Sequence, residues 1–199
     1  MTEQLLLPGM EPANPGASVD NLFVAIFPSA ENAKRISNLG VGLKDLLGVE
    51  GKLRPESHLH ATMYHVGTYR DGLPESHVSL AKRSCEAAAL LSRSLEATFN
   101  RVLTFQGGEG RNPFVLSGTS NNSALHFLHK TLVAEFARQG FRVGRNSNFE
   151  PHVTLAYAKE PVGEVPIEPI GCTVDELVLI HSLVGQTKYS VLGRWPLIG

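Results

Sequence analysis

The tetrapeptides His60-Ala61-Thr62-Met63 and His152-Val153-Thr154-Leu155 set the same His-x-Thr-apolar pattern once in each half of the chain. Both lie in stretches that alternate or run apolar as strands do, and residues two apart on a strand share a face. His60 and Thr62 therefore belong on one face of one strand, and His152 and Thr154 on one face of another. The surroundings repeat too. Leu22 to Phe27, a helical pattern and the first motif form one strand–helix–strand unit, and Asn112 to Ser117, a second helical pattern and the second motif form another. A duplicated unit sets its two motifs in equivalent places, which constrains the chain to two related lobes facing one point.

Two imidazoles and two hydroxyls around one point suit a particular chemistry. A phosphodiester reacting in line needs a base behind the attacking oxygen, an acid behind the leaving oxygen and donors on the oxygens between them. The histidines match the first two requirements and the threonines the third, with no metal required. One His-x-Thr triplet alone would carry little weight, because Thr favours strands and His tolerates them.

With both motifs in place, the chain resembles the two-histidine phosphoesterases, the group containing the bacterial 2′-5′ RNA ligases and RNA 2′,3′-cyclic phosphodiesterases. Leu22-Phe23-Val24-Ala25-Ile26-Phe27-Pro28 resembles the family's opening strand, and Pro151-His152-Val153-Thr154-Leu155-Ala156 its second motif strand. Val174 to Leu179 and Tyr189 to Leu197 resemble its closing strands. The resemblance implies an α+β, bilobal, pseudo-two-fold fold, with two antiparallel sheets lining a central cleft and helices outside. It also implies hydrolysis of a cyclic phosphate, on an RNA end or a nucleotide, or reversible 2′-5′ joining. The implied catalytic set is His60, Thr62, His152 and Thr154. Tyr157, five residues after His152, stands where the family often carries Arg or Tyr toward the phosphate or base, and is expected to bind substrate. As a neutral donor it offers no charged fork, which weakens the case for a multiply charged RNA end. The rival reading is a catalytically silent module that holds an RNA end or nucleotide phosphate.

A net charge of −1 argues against gripping long duplexes, while a local positive patch suffices for a short end or nucleotide. With 199 residues, 42% hydrophobic and 19% charged, residues 21–199 read as one bilobal domain, expected to be a monomer. Residues 1–20, with Pro8, Gly9, Pro12, Pro15 and Gly16, read as a flexible leader. Within it, Gln4-Leu5-Leu6-Leu7-Pro8 has the form of a short segment that docks weakly on a protein partner. Cys85 and Cys172 read as core thiols, which points to reducing cytosol. No apolar run approaches the roughly 20 residues that span a bilayer.

Ser29 caps a first helix with the stripe Ala33, Ile36, Leu39, Leu43, Leu46 and Leu47, which Gly40 and Gly42 are expected to loosen. Pro74 opens a second helix. A third, with Leu125, Leu128, Leu132 and Phe136 buried, ends at Gly140. A Pro-rich connection through Pro161, Pro166 and Pro169 leads to a final hairpin turning near Gly185. Among the remaining candidates, His58 shares the motif face and reads as a rim residue, with His58-x-His60 as a zinc alternative. His65 falls on the opposite face by strict alternation and is unassigned. Arg70, Arg111, Arg145 and Lys159 sit near strand ends or loops, where a cleft can use them and a solvated charge is the default. His77, His126, His129 and His181 read as exposed.

Overall fold

The computed structural model describes residues 19–108, 110–118, 122–142, 149–183, 186 and 188–199. The segment at 4–8, the rest of the leader up to residue 18, Arg145 and Gly185 lie outside the described residues. The elements in chain order are β1 (Val19–Ile26), α1 (Ala30–Leu46), a 3₁₀ turn (Glu56–His58), β2 (Ala61–Arg70), α2 (Glu75–Leu90), β3 (Leu95–Thr104), β4 (Asn112–Ser117), α3 (Ser123–Arg138), β5 (His152–Ala158), β6 (Val165–Val174), β7 (Glu176–Leu183) and β8 (Lys188–Pro196).

The strands run β6-β3-β4-β5-β2-β1-β7-β8, and all their pairings are antiparallel. The ladder nearly breaks at its centre. β1 pairs with β2, and β4 with β5, along most of their lengths, whereas β2 and β5 meet at the single pair Ala61↔Val153. The strands therefore form two four-stranded sheets, β2-β1-β7-β8 and β5-β4-β3-β6, joined at one residue pair. This is the bilobal, two-sheet α+β arrangement read from the sequence. The unit β1-α1-β2 of one lobe corresponds to β4-α3-β5 of the other.

The helices form where the apolar stripes place them. The Ser29 hydroxyl accepts from the Asn32 amide at 3.2 Å and starts α1, whose Ala33, Ile36, Gly40 and Leu43 are buried. The helix runs through Gly40 and Gly42 to Leu46, and Gly40 faces Leu53, whose Cδ2 would lie 3.4 Å from an added Cβ. In α3, Leu125, Leu128, Leu132 and Phe136 are fully buried, and Gly140, at φ 89°, takes the left-handed turn that ends it.

Each repeat's helix braces the opposite lobe. From α1, Asn32 Nδ2 donates to the Gly171 carbonyl at 3.0 Å and Arg35 to that of Pro169, both on β6. From α3, His129 Nδ1 donates to the Met63 carbonyl on β2 at 2.7 Å.

One strand departs from the sequence reading. The Pro-rich connection contains β6, with Pro166 opposite Arg101 and an irregular register between Phe99 and Arg101. Proline cannot donate to a ladder and is tolerated on edge strands and at bulges. β6 is the outer strand of its sheet, and its pairing is interrupted beside Pro169.

Candidate functional site

The joint between the sheets is also where the two motifs meet. Ala61 and Val153, at 1% and 2% exposure, turn into the core, so the residues on either side of them turn away from it. Continuing the antiparallel register by one residue sets His60 across from Thr154 and Thr62 across from His152. Opposed Cβ atoms lie roughly 4.5–5.5 Å apart and diagonal ones roughly 7–8 Å. Each histidine thus has the other motif's threonine opposite it and the other histidine on the diagonal, around a pseudo-two-fold axis through the Ala61–Val153 pair.

The apolar fourth residue of each motif has a structural reason. In β2 the register jumps from Thr62↔Ala25 to Tyr64↔Val24, leaving Met63 as an extra residue; in β5 it jumps from Thr154↔Val115 to Ala156↔Phe114, leaving Leu155 extra. These are matching β-bulges, and their residues are each buried to 1% exposure. Their carbonyls are both satisfied, Met63 by His129 Nδ1 at 2.7 Å and Leu155 by the Arg54 amide at 2.7 Å. A bulge re-aims the residues beyond it. His65, assigned to the opposite face by strict alternation, lines the cleft instead, and Tyr157 lines it at the corresponding place in β5.

Both imidazoles are held alike. His60 Nδ1 is 2.8 Å from the carbonyl of His58, and His152 Nδ1 is 2.8 Å from the carbonyl of Glu150. A carbonyl only accepts, so in each ring Nδ1 carries the hydrogen and Nε2 is left to take or give a proton. Glu150 is itself fixed by Arg101 at 2.8 Å and by the Ser117 hydroxyl at 3.1 Å.

The surroundings of the two rings differ. His60 stacks on Phe23 with centroids 5.2 Å apart, near Phe27 at 5.7 Å, and meets Tyr189 edge-on at 5.5 Å. His152 has Phe105 edge-on at 4.9 Å. Burial among aromatic rings pushes the His60 pKa down to about 4, and the positive charges of Arg54 and His152 act in the same direction against the hydrogen bond to the His58 carbonyl.

A depressed histidine pKa makes a fold acid-labile. His60 contributes its full stability above its unfolded pKa of 6.5 and loses it as pH falls to about 4, a loss on the order of 3 kcal/mol. Burial also lowers the pKa of His65 and His129, with the same sign. Urea denaturation between pH 7.5 and pH 4 is expected to show stability falling over this window, with a shallower fall in His60→Phe, which keeps an aromatic ring among its neighbours. An unchanged slope in that variant would contradict the assignment.

An open cleft of about 870 Å³ covers this face, lined by His58, His60, Thr62, His65, Thr154 and Tyr157 of the motif segments. His152 is not among the residues that line it, but the ring is close enough for its charge to act on His60. Among the described residues, no hydrogen bond engages the hydroxyl of Thr62 or Thr154. His58 turns its ring to Tyr189 at 4.3 Å and lies 3.0 Å from the Ser57 hydroxyl through Nδ1. Among the described residues, no group of three or more His, Cys, Asp or Glu side chains is placed to hold a metal ion.

The sequence reading missed part of the lining. Arg54 and Tyr189 both face the cleft, and Arg54 donates to the Tyr157 hydroxyl at 3.4 Å. Arg111 lines it as well, whereas Lys159 pairs with Glu50 at 2.7 Å on the exterior, and Arg70 closes the exposed end of β2. The four histidines expected in solvent all have partners: His77 with the Tyr69 hydroxyl at 3.0 Å, His126 edge-on to Phe149, His129 with Met63 and stacked on Phe149, and His181 with Asp20.

Residues 51–54 reach the site by running along β5. A Cβ on Gly51 would lie 1.9 Å from the Tyr157 carbonyl oxygen, so only glycine allows this approach. Gly51→Ala is expected to cost about 1–3 kcal/mol in urea unfolding and to weaken binding through Tyr157. Wild-type stability in this variant would show that the segment does not sit against β5.

The comparisons with known proteins agree with this fold. Among solved structures, a protein described as a phosphoesterase superposes with a TM-score of 0.70 at 23% identity, over 90% of this chain and 99% of the other. Apo LigT of E. coli gives 0.68 at 22% identity, over 92% and 99%. TT0787 of Thermus thermophilus gives 0.70 at 22%, over 90% and 98%. At such identities the likeness establishes the fold. No curated protein matches the sequence. A family model, the 2′-5′ RNA ligase superfamily, matches residues 42–186, a span that holds both motifs, their bulges and the cleft-lining segments between them. The chain belongs to that superfamily of two-histidine phosphoesterases and RNA ligases.

Proposed function

We propose that this protein hydrolyses a cyclic phosphodiester, the 2′,3′-cyclic phosphate of an RNA end or nucleotide, by metal-independent acid–base catalysis, and that the same site run in reverse joins RNA ends through a 2′-5′ bond. The observation that carries this reading is the matched pair of Nδ1–carbonyl bonds, which presents two Nε2 atoms across the Ala61–Val153 joint. His60, kept neutral by its aromatic surroundings, is the base that takes a proton from water. His152 is the acid that gives one to the leaving ribose oxygen. A positive charge on either ring disfavours one on the other, which separates the roles. Thr62 and Thr154 donate to the non-bridging oxygens as charge gathers there, and Tyr157 with Arg54 faces the rest of the substrate. In keeping with this reading, E. coli LigT has been crystallised with 3′-AMP and with phosphate.

Hydrolysis is favoured over ligation because water is abundant and joining needs two RNA ends in one cleft. The test is incubation with each 2′,3′-cyclic mononucleotide and with an RNA ending in a 2′,3′-cyclic phosphate, before and after dialysis against EDTA. Turnover to a phosphomonoester at an unchanged rate after EDTA is the expected result. Binding without turnover would favour the silent module, and loss of activity restored by zinc would overturn the metal-free route.

A further inference from the structure

The charge lining the cleft is one-sided. The whole chain has 18 Lys and Arg against 19 Asp and Glu, yet Lys52, Arg54 and Arg111 line the cleft and no carboxylate among the described residues does. Two of these cations converge on one side chain: the Arg54 guanidinium lies 5.3 Å, and that of Arg111 5.6 Å, from the centre of the Tyr157 ring. Tyr157 is 37% exposed, and among the described residues neither arginine is ion-paired with a carboxylate. They come from separate elements, Arg54 from the loop before the 3₁₀ turn and Arg111 from the residue before β4. Unpaired guanidiniums held in place by an aromatic ring form a ready anion site, since each presents a planar fork that suits a phosphate.

Tyr157 lies three residues beyond Thr154 on the same strand, about 10 Å at strand rise and less with the bulge at Leu155. That offset is on the scale of one nucleotide. The neighbouring hollow on the other side of His58 and Tyr189 is lined by Asp175, Glu176 and Arg194, with Arg194 already paired to Glu176, so it offers an anion no unpaired arginine. The arginines among the described cleft residues without a carboxylate partner therefore lie on the Arg54 and Arg111 side.

We infer that Arg54 and Arg111, organised by Tyr157, form a second phosphate subsite that takes the phosphate on the 5′ side of the terminal nucleotide while the histidine–threonine set takes the terminal phosphate. This rests on the proposed function, and makes the preferred substrate an RNA end, or a nucleotide with a 5′ phosphate, over a cyclic mononucleotide without one. Tyr157 positions the arginines. The charge absent from residue 157 is supplied by two residues distant in sequence.

The subsite is tested by equilibrium binding, with no turnover involved. Adenosine 3′-phosphate, adenosine 3′,5′-bisphosphate and the dinucleotide ApA 3′-phosphate are titrated into the wild type, Arg111→Gln, Arg54→Gln and Arg111→Lys. At low salt, the second phosphate is expected to tighten binding by about tenfold or more, the gain to shrink below about threefold in either Gln variant, and only part of it to return in Arg111→Lys, which restores the charge without the planar fork. A gain seen for both two-phosphate ligands assigns the subsite to any 5′ phosphate, and a gain confined to the dinucleotide assigns it to the internucleotide diester. Equal affinity for all three ligands, or a gain that survives both Gln substitutions, overturns the subsite. Failure of the wild type to turn over either cyclic substrate would instead overturn the proposed function and leave these binding results standing.

Discussion

His60→Ala and His152→Ala each lower kcat/KM for a 2′,3′-cyclic phosphate by about 10²–10⁴, the usual worth of a positioned proton donor or acceptor. The double variant loses much less than the product of the two, because a proton taken at one end of the displacement is useful only if one is given at the other. Single and double variants assayed on one substrate check this. Both rings can be removed without building a new contact: His60 leaves a space beside Phe23 and Tyr189, and His152 one beside Phe105. The pH profile separates their roles. The acidic limb of kcat/KM in the free protein belongs to the base, and His60, with a pKa of about 4, places that limb well below the ordinary imidazole range. An acidic limb at the ordinary histidine pKa would make His60 the wrong base. Losses that simply multiply in the double variant would mean the two rings do not serve one displacement.

Thr62→Val and Thr154→Val lower kcat by about 10²–10³ each, as removal of a single oxyanion donor does, with little change in KM. Valine keeps the branched shape that suits a strand, so the loss reports the hydroxyl. Because the bond strengthens only as charge accumulates on the non-bridging oxygens, kcat and kcat/KM fall together. Thr→Ser at either position returns most of the rate, since it restores the donor. Register places Thr62 opposite His152 and Thr154 opposite His60, so the two substitutions are expected to have similar effects. A Val variant that raised KM and spared kcat would reduce that threonine to a ground-state contact.

The repeat made much of this legible in the sequence. His-x-Thr at a strand period fixes a shared face, the flanking strand–helix–strand patterns fix the equivalence of the halves, and Leu125, Leu128, Leu132 and Phe136 state their helix outright. What stayed hidden has physical causes. Strict alternation holds only for unbulged strands, so the extra residue Met63 moved His65 to the cleft against expectation. Pro166 and Pro169 concealed β6, because nothing local says that a strand will lie on an edge where its amides need no partner. Arg54 and Tyr189 lie on separate segments that only the folded sheets bring together. His129 and His181 gained partners in the same way, by long-range packing that no sequence window contains, while His77 meets Tyr69 eight residues back, across the turn from β2 into α2.

The proposed chemistry requires two imidazoles acting on one phosphorus across the Ala61–Val153 joint. The most direct measurement is a crystal structure with inorganic phosphate bound in the cleft. One anion is expected, with Nε2 of His60 and Nε2 of His152 both within about 2.6–3.2 Å of its oxygens, and with the hydroxyls of Thr62 and Thr154 on the remaining ones. An anion touched by only one of the two rings, with the other turned to a separate pocket, would contradict it.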